Sequence, residues 1–408
     1  MRIVLAGSSF FKHGGGIAPY NRELCRALLE RGHELLVVSP ESQDAETWKP
    51  GEHGAAALYS SAIPESVSDE PKVAREMFDR IVAYDPQVLI SSDHIYLTSL
   101  FPCFADSRIR ITISHYYNGL LPKVAACRPA ETDWIVAISE AGRQYLLSRP
   151  GCCAEQVVVI YNTVHDVNVN VPELIRKKSR EDVLRIVYPG GDSRHKSCGT
   201  VLKMVKQLVK SDLNWELTWL GSADRIAWRV PDSARKRTVF TGRVPRPEAE
   251  QHILKAHCFV LPSRGEGCPM SLLEAMRTGT IPLVSDCPSA MRELVAHGVS
   301  GYVARRTDVR SLVSHLLEIA KSQPLRESMM NEARLVYEKR LRVDTWINKI
   351  ANLLERRRAG RIKSNDTDRF DPAMVYRWHR RPGRWQRPTI TYLRVRFGYP
   401  NLSSLSRG

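Results

Sequence analysis

The first part of the chain alternates between short apolar runs and longer segments in which apolar residues recur every three or four positions. Residues 2–6 form an apolar run, and after a loop with three glycines a helix is predicted from Ile17 to its glycine cap at Gly32. Further buried strands are predicted at residues 35–38, 88–90, 109–114, 134–138 and 157–160. Such alternation is typical of a doubly wound α/β sheet.

A second alternating series follows a polar stretch at residues 166–182, which we interpret as an interdomain linker. Strands are predicted at residues 184–188, 215–220, 238–240, 258–261 and 281–285, and an amphipathic helix at 201–209. The pattern therefore predicts two Rossmann-like domains, at residues 1–165 and 183–340. An amphipathic helix (341–358) and a tail (359–408) follow them.

Composition limits the class of protein. The 408 residues suffice for two hydrophobic cores, and no apolar stretch reaches the length of a membrane span, so we expect a soluble, cytoplasmic protein. The nine cysteines include no Cys-x-x-Cys pair and the twelve histidines show no ligand spacing. These patterns predict neither disulfides nor a bound metal.

The net charge of +16 is concentrated at one end. Residues 356–408 hold fourteen Lys or Arg and three Asp, a net charge of +11, with aromatic residues interspersed. Cations beside aromatic rings suit an anionic membrane surface, so a peripheral location on the inner face of the membrane is one interpretation of this tail. A solvated tail, or one packed on a domain, is the alternative, and no recognised nucleic-acid module accompanies it.

The most informative motif lies between Pro262 and Met276, where Glu266 and Glu274 are separated by seven residues. The first glutamate follows the strand predicted at 258–261, and the second lies in a helix predicted at 271–278. Backbone N–H groups at a helix start bind anionic oxygens, and carboxylates accept hydrogen bonds from sugar hydroxyls. The spacing therefore fits a sugar-nucleotide site, although two glutamates alone also fit a solvated helix face.

The motif and the segment around it resemble the retaining, GT-B-fold glycosyltransferases of family 4. After the two glutamates come Gly279-Thr280-Ile281-Pro282, then SDCPSAMREL at residues 285–294, then Gly298 and Gly301. The resemblance covers roughly residues 1–355. It implies an α/β fold of two Rossmann-like domains facing a cleft, with the acceptor against the first domain and the donor against the second.

The resemblance also assigns roles to residues of the motif. It gives Glu274 a ribose-binding role and places Glu266, as a catalytic residue, against the transferred sugar. The backbone of Gly267, Cys268 and Pro269 would lie beside the donor. Cys268 stands where the family usually has an aromatic residue, which would alter the sugar pocket.

In the first domain, the resemblance favours His115, after the strand 109–114, as the histidine beside the donor sugar. His94 occupies a similar strand-end position and is its rival. Gly15 and Gly16 belong to a glycine run whose backbone would approach the donor at a helix start. Ser139-Glu140 and Asn162 also match family positions and are interpreted as capping residues.

Without a metal, a departing nucleoside diphosphate needs cationic side chains. The family uses an arginine and a lysine after the first strand of the second domain. Lys196 falls at the lysine position, but Gly191 stands at the arginine position, so Arg194 or His195 would have to replace it.

These observations together predict a metal-independent, retaining glycosyltransferase with no cofactor beyond a UDP- or GDP-linked co-substrate. Its acceptor would be a polysaccharide or a lipid-linked glycan of the cell envelope. Because Gly191 stands at the arginine position, a catalytically weak sugar-nucleotide-binding protein is an alternative. A nucleotide-sugar epimerase is a further alternative. A dehydrogenase is disfavoured because the glycine run lacks the Gly-x-Gly-x-x-Gly spacing.

Overall fold

A computed structural model describes residues 1–7, 16–39, 56–60, 70–358, 361 and 366–376, with the backbone alone at 56–60. The chain divides into two compact units. The first contains residues 1–138 and 142–160 and the described residues from 347 onward, and the second contains 139–141 and 161–346. Each unit is built on a parallel β-sheet with helices between its strands, which confirms the predicted fold class.

The first unit follows the alternation that its sequence predicts. Its elements are β1 (Arg2–Gly7), α1 (Ile17–Glu30), β2 (Glu34–Ser39), β3 (Ala56–Ser60), α2 (Glu70–Tyr84), β4 (Val88–Ser92), α3 (Ile95–Ser99), β5 (Ile109–Ser114), α4 (Leu120–Ala125), β6 (Trp134–Ala137), α5 (Glu140–Leu147) and β7 (Val157–Val159). The strand order is β3-β2-β1-β4-β5-β6-β7, so the direction of winding reverses between β1 and β4. The sequence analysis missed β3, an edge strand whose Ala-Ala-Leu-Tyr-Ser sequence lacks a run of β-branched residues.

The second unit repeats the architecture. Its elements are α6 (Val171–Ser179), β8 (Leu184–Tyr188), α7 (Cys198–Leu208), β9 (Trp215–Leu220), α8 (Asp232–Arg235), β10 (Thr238–Gly242), α9 (Arg246–Lys255), β11 (Cys258–Leu261), α10 (Met270–Arg277), β12 (Ile281–Ser285), α11 (Ala290–Leu294), β13 (Tyr302–Ala304), α12 (Val309–Lys321) and α13 (Gln323–Arg340). The order is β10-β9-β8-β11-β12-β13, with the reversal between β8 and β11. The short strand β13 was not predicted.

The segment predicted as a linker, 166–182, instead contains helix α6 and lies within the second unit. The Asn170 side chain accepts a hydrogen bond from the Glu173 N–H at 3.2 Å and so caps the helix start. Val171 and Ile175 are buried in the second core, four residues apart on one face. The prediction failed because so few apolar residues carry the helical period among many charged ones.

The chain then runs through α14 (Val343–Leu354), and from Ile347 onward it belongs to the first unit. The predicted helix extended to Arg358, but α14 ends at Leu354. Beyond this point the backbone forms other hydrogen bonds: the Arg356 carbonyl accepts from the Trp134 indole at 2.7 Å, and the Arg358 N–H donates to Asp133 at 3.1 Å. These bonds hold the segment in a non-helical path along the first unit.

The described part of the tail packs on the first unit. Arg361 forms an ion pair with the buried Asp133 at 2.7 Å, and Asp368 pairs with Arg108. A last short helix, α15 (Pro372–Tyr376), buries Val375 in the core of the first unit. The remainder of the basic tail, 377–408, lies outside the described residues.

Candidate functional site

In the second unit, the motif residues follow the two strands between which the winding reverses. Lys196 lies in the loop after β8, and Glu266 lies in the loop after β11. In open α/β sheets this reversal leaves a crevice at the carboxyl ends of the strands, where ligands bind. Sheet topology therefore brings together two residues that are seventy positions apart in sequence.

Lys196 and Glu266 face each other across this crevice. The Lys196 Nζ lies 3.9 Å from Glu266 Oε1, and the same oxygen accepts a hydrogen bond from the Ser263 hydroxyl at 2.7 Å. The Glu266 side chain is 13 % exposed and that of Lys196 is 30 % exposed. A fixed carboxylate next to a partly exposed ammonium offers adjacent groups for sugar hydroxyls and for a phosphate.

Glu274 lies in α10 and is buried. Burial raises the pKa of its carboxyl, and the Arg246 guanidinium, 3.0 Å from Glu274 Oε1, acts in the opposite direction. Arg246 begins α9, and the sequence analysis did not single it out. A basic residue between two prolines, shortly before the motif strand, was the available signal.

The loop between the glutamates is anchored through its backbone. Asn162 is buried and donates from Nδ2 to the Cys268 carbonyl at 2.7 Å, while the Gly267 carbonyl accepts from the Ala290 N–H at 2.8 Å. Pro269 occupies the N-cap position of α10. Burial raises the pKa of the Cys268 thiol to about 12, so this thiol is protonated at neutral pH and is a poor nucleophile.

The backbone conformation at position 191 requires a glycine. Its φ is +51°, and a Cβ at this position would lie 2.8 Å from the Ser222 carbonyl oxygen. An arginine would therefore be strained at the position where the family has one. Arg194 lies in the same loop and is exposed, so it is available to a ligand at the end of β8.

In the first unit, His115 follows β5 and belongs to a buried polar network. Its Nε2 lies 2.8 Å from the Ser92 hydroxyl, which itself donates to Asn21 Oδ1 at 2.6 Å. Because the Ser92 proton is committed to Asn21, Ser92 must accept from His115, which places the ring proton on Nε2. Burial lowers the pKa of His115 to about 3, so Nδ1 of the neutral ring is an acceptor at neutral pH.

His94, the rival of His115, caps a helix. Its Nδ1 accepts a hydrogen bond from the Leu97 N–H at 3.2 Å at the start of α3. That bond gives His94 a structural role at this helix start. Of the predicted glycines, Gly16 occupies the N-cap position of α1, whereas Gly15 lies outside the described residues.

Asp93 is a candidate that the sequence analysis missed. It follows β4 directly, has a φ of +52° and is 5 % exposed. Its Oδ2 accepts from the His115 N–H at 3.0 Å, whereas Oδ1 has no hydrogen-bond partner in the described part of the chain. Burial raises the pKa of this carboxyl to about 8. A strained backbone and an unsatisfied buried oxygen often occur together at functional sites, and its position at a predicted strand end was the available signal.

None of the described helices combines the length and apolar character needed to cross a bilayer. No group of three or more His, Cys, Asp or Glu side chains in the described segments is arranged to hold a metal ion.

Comparisons with known proteins agree with the fold and the motif. Residues 14–167 match the model of Glycosyltransferase Family 4, and residues 171–336 match that of Glycosyl transferases group 1. Similar solved structures include Anabaena HepE in complex with UDP, at 15 % identity with a TM-score of 0.69 over 87 % of this chain and 100 % of that one. The lipopolysaccharide outer core galactosyltransferase WaaB, in its apo form, is 17 % identical with a TM-score of 0.66 over 87 % of this chain and 99 % of that one.

Curated relatives match over shorter stretches. The amylovoran biosynthesis glycosyltransferase AmsK of Erwinia amylovora is 26 % identical over 240 residues, which are 56 % of this chain and 57 % of that protein. The lipopolysaccharide 1,6-galactosyltransferase of Salmonella typhimurium is 25 % identical over 197 residues, which are 47 % of this chain and 53 % of that protein. The matched region thus spans little more than half the length of these relatives. Through its family-model matches and its two α/β sheets, the chain belongs to the group 1 glycosyltransferases with the GT-B fold.

Proposed function

We propose that this protein transfers a sugar, with retention of configuration, from a UDP- or GDP-linked donor to a polysaccharide or lipid-linked acceptor in cell-envelope glycan synthesis. The observation that carries the proposal is the Lys196–Glu266 pair at the β8/β11 reversal, with Glu274 buried in the helix that follows. The similarity to an amylovoran biosynthesis glycosyltransferase and to a lipopolysaccharide 1,6-galactosyltransferase supports an envelope glycan. The UDP and UDP-glucose complexes of HepE support a nucleotide sugar.

In the proposed reaction, the bond between the anomeric carbon and the donor phosphate oxygen breaks while the acceptor hydroxyl oxygen bonds to the same face of that carbon. The acceptor proton passes to the departing phosphate oxygen, so no protein nucleophile is required. Lys196, Arg194 and the N–H groups at the start of α10 would stabilise the charge of the leaving diphosphate. Glu266 would bind the transferred sugar, and Glu274 the ribose hydroxyls.

A screen of UDP- and GDP-linked sugars by thermal shift would test donor binding, since a ligand at a hundred times its Kd stabilises by about 2.7 kcal/mol. The anomeric proton of the product, observed by NMR, would then report the configuration. An inverted product would contradict the retaining mechanism.

We also propose that activity persists in EDTA, and a loss restored by magnesium or manganese would contradict metal independence.

A second candidate is a sugar-nucleotide-binding protein with little turnover, which the enforced glycine at position 191 favours. Donor hydrolysis without an acceptor separates the two candidates. Slow release of the nucleotide supports the transferase. Tight donor binding with no release supports the binding protein.

We further propose that the tail beyond Tyr376 attaches the enzyme to an anionic membrane surface. Residues 377–408 contain eight arginines and no acidic residue. Since Arg361, Asp368 and Val375 hold the preceding segment on the first unit, the informative truncation ends at Tyr376 and leaves this packing intact. Salt-sensitive sedimentation with phosphatidylglycerol vesicles should be lost in the truncated protein. Equal sedimentation of both forms would contradict this proposal.

A further inference from the structure

Glu274 belongs to a row of alternating charges along α9 and α10. Arg246 lies between two carboxylates: its Nη2 is 3.0 Å from Glu274 Oε1, and its Nε is 2.8 Å from Glu250 Oε1. Glu250 in turn accepts from Arg277 Nη2 at 2.8 Å. The row fixes the Arg246 guanidinium from both sides, although its side chain is 43 % exposed.

The two carboxylates that contact Arg246, those of Glu274 and Glu250, differ in their exposure to solvent. The Glu274 side chain is 10 % exposed, so its ionised form has lost most of its hydration and depends on protein partners. Glu250, in contrast, is 26 % exposed and is paired with two arginines. Burial therefore makes the Glu274 carboxylate depend on the nearby cations, with Arg246 in direct contact and Arg277 acting through its charge.

The contact also leaves room for a ligand. A carboxylate offers about four acceptor positions, and Arg246 Nη2 uses one of them, on Oε1. The remaining positions suit two neighbouring hydroxyl groups, because each needs one acceptor. A vicinal diol is the chemical group that a nucleotide ribose presents and a deoxyribose lacks.

We propose that Arg246 is a positioning residue for ribose recognition: it fixes the orientation of the Glu274 carboxylate so that the remaining acceptor positions receive the 2′- and 3′-hydroxyls of the donor nucleotide. This inference rests on the proposed function, in which Glu274 binds the ribose. Arg246 acts through Glu274 and makes no contact with the phosphates or the sugar.

The experiment measures, by isothermal titration calorimetry on the full-length protein, the Kd of UDP, GDP and their 2′,3′-dideoxy forms. The variants are Arg246→Met, Arg246→Lys, Glu274→Gln and the double variant Arg246→Met/Glu274→Gln. The control is Arg235→Met, which removes a similar exposed ion pair with Asp232 in α8. Melting temperatures show whether each variant folds.

In Arg246→Met we expect the Kd of the bound ribonucleotide to rise about tenfold and that of its 2′,3′-dideoxy form to change less than twofold, because the loss is confined to the hydroxyl contacts. Arg246→Lys should recover part of the affinity, and the double variant should bind no more weakly than Glu274→Gln. Equal weakening for the ribo and dideoxy forms, or additive effects in the double variant, would overturn the inference and leave the proposed function standing. Absence of UDP and GDP binding to the wild-type protein would overturn both.

Discussion

The carboxyl edges of the two sheets carry different chemistry. The edge of the second sheet holds charged groups in ion pairs, Lys196 with Glu266 and Arg246 with Glu274. The edge of the first sheet holds buried groups that are neutral near pH 7, because burial lowers the pKa of His115 to about 3 and raises that of Asp93 to about 8. Cations suit the diphosphate of a nucleotide, whereas neutral donors and acceptors suit the hydroxyls of a sugar. The two sheet edges therefore suit different chemical groups.

The largest effect that would test this comparison is expected from Glu266→Gln. The change keeps the side-chain shape and removes the charge that faces Lys196, so turnover should fall on the order of 100-fold while donor affinity changes little. The measurement is nucleotide release from the donor found in the screen, under saturating donor. Glu248→Gln, an exposed glutamate in α9, serves as the control. Unchanged turnover in Glu266→Gln would remove this residue from the site.

Glu274→Ala should weaken binding of the donor nucleotide, not turnover. In the proposed complex the variant would leave the ribose hydroxyls unpaired in a desolvated crevice, which costs about 1–3 kcal/mol, or roughly 5- to 150-fold in Kd. Calorimetry with the donor nucleotide measures this change directly. A variant that binds the nucleotide as tightly as the wild-type protein, yet turns over slowly, would exchange the roles proposed for the two glutamates.

Asp93→Gly tests whether the neutral groups at the carboxyl edge of the first sheet have a role in function or only in structure. Glycine relieves the strain at a φ of +52°, so the melting temperature should stay equal or rise, whereas turnover should fall roughly tenfold because the carboxyl group is lost. Asp85→Gly is the backbone control, since Asp85 has a φ of +50° and lies before β4, at the amino end of that strand. This control also loses the ion pairs of Asp85 with Arg2 and Arg108.

If Asp93→Gly retained full turnover with a higher melting temperature, the Asp93 carboxyl group would have no role in turnover. A fall in both quantities would indicate instead that its hydrogen bond to the His115 N–H supports the local fold.

The sequence predicts elements whose pattern lies within one segment, but it does not predict contacts between separate elements. The motif strand β11 and helix α10 were predicted from a run of four apolar residues and from helical spacing, both of which act within one element. Helix α6 was missed because its stability depends on packing of Val171 and Ile175 in the second core. The sequence also cannot show that Gly191 contacts Ser222, or that Arg246 reaches Glu274, since these contacts depend on how separate elements pack.

The smallest expected effect concerns how the stability of the protein depends on pH through His115, at the carboxyl edge of the first sheet. The pKa of His115 falls from an ordinary 6.5 when unfolded to about 3 in the folded protein, because the charged ring is poorly solvated when buried. The unfolded chain therefore binds more protons below pH 6.5, so the stability that the neutral ring contributes is complete above pH 6.5 and is lost as the pH falls toward 3.

His115→Gln, which does not titrate, should accordingly lose less stability than the wild-type protein between pH 7.5 and 5.5, by about 1 kcal/mol. Melting temperatures of both proteins across this range measure the difference. His165→Gln, at an exposed position, is the control for the loss of one histidine. Parallel curves for His115→Gln and the wild-type protein would show that His115 is not held neutral by burial, and the contrast between a neutral and a charged sheet edge would then fail at its central residue.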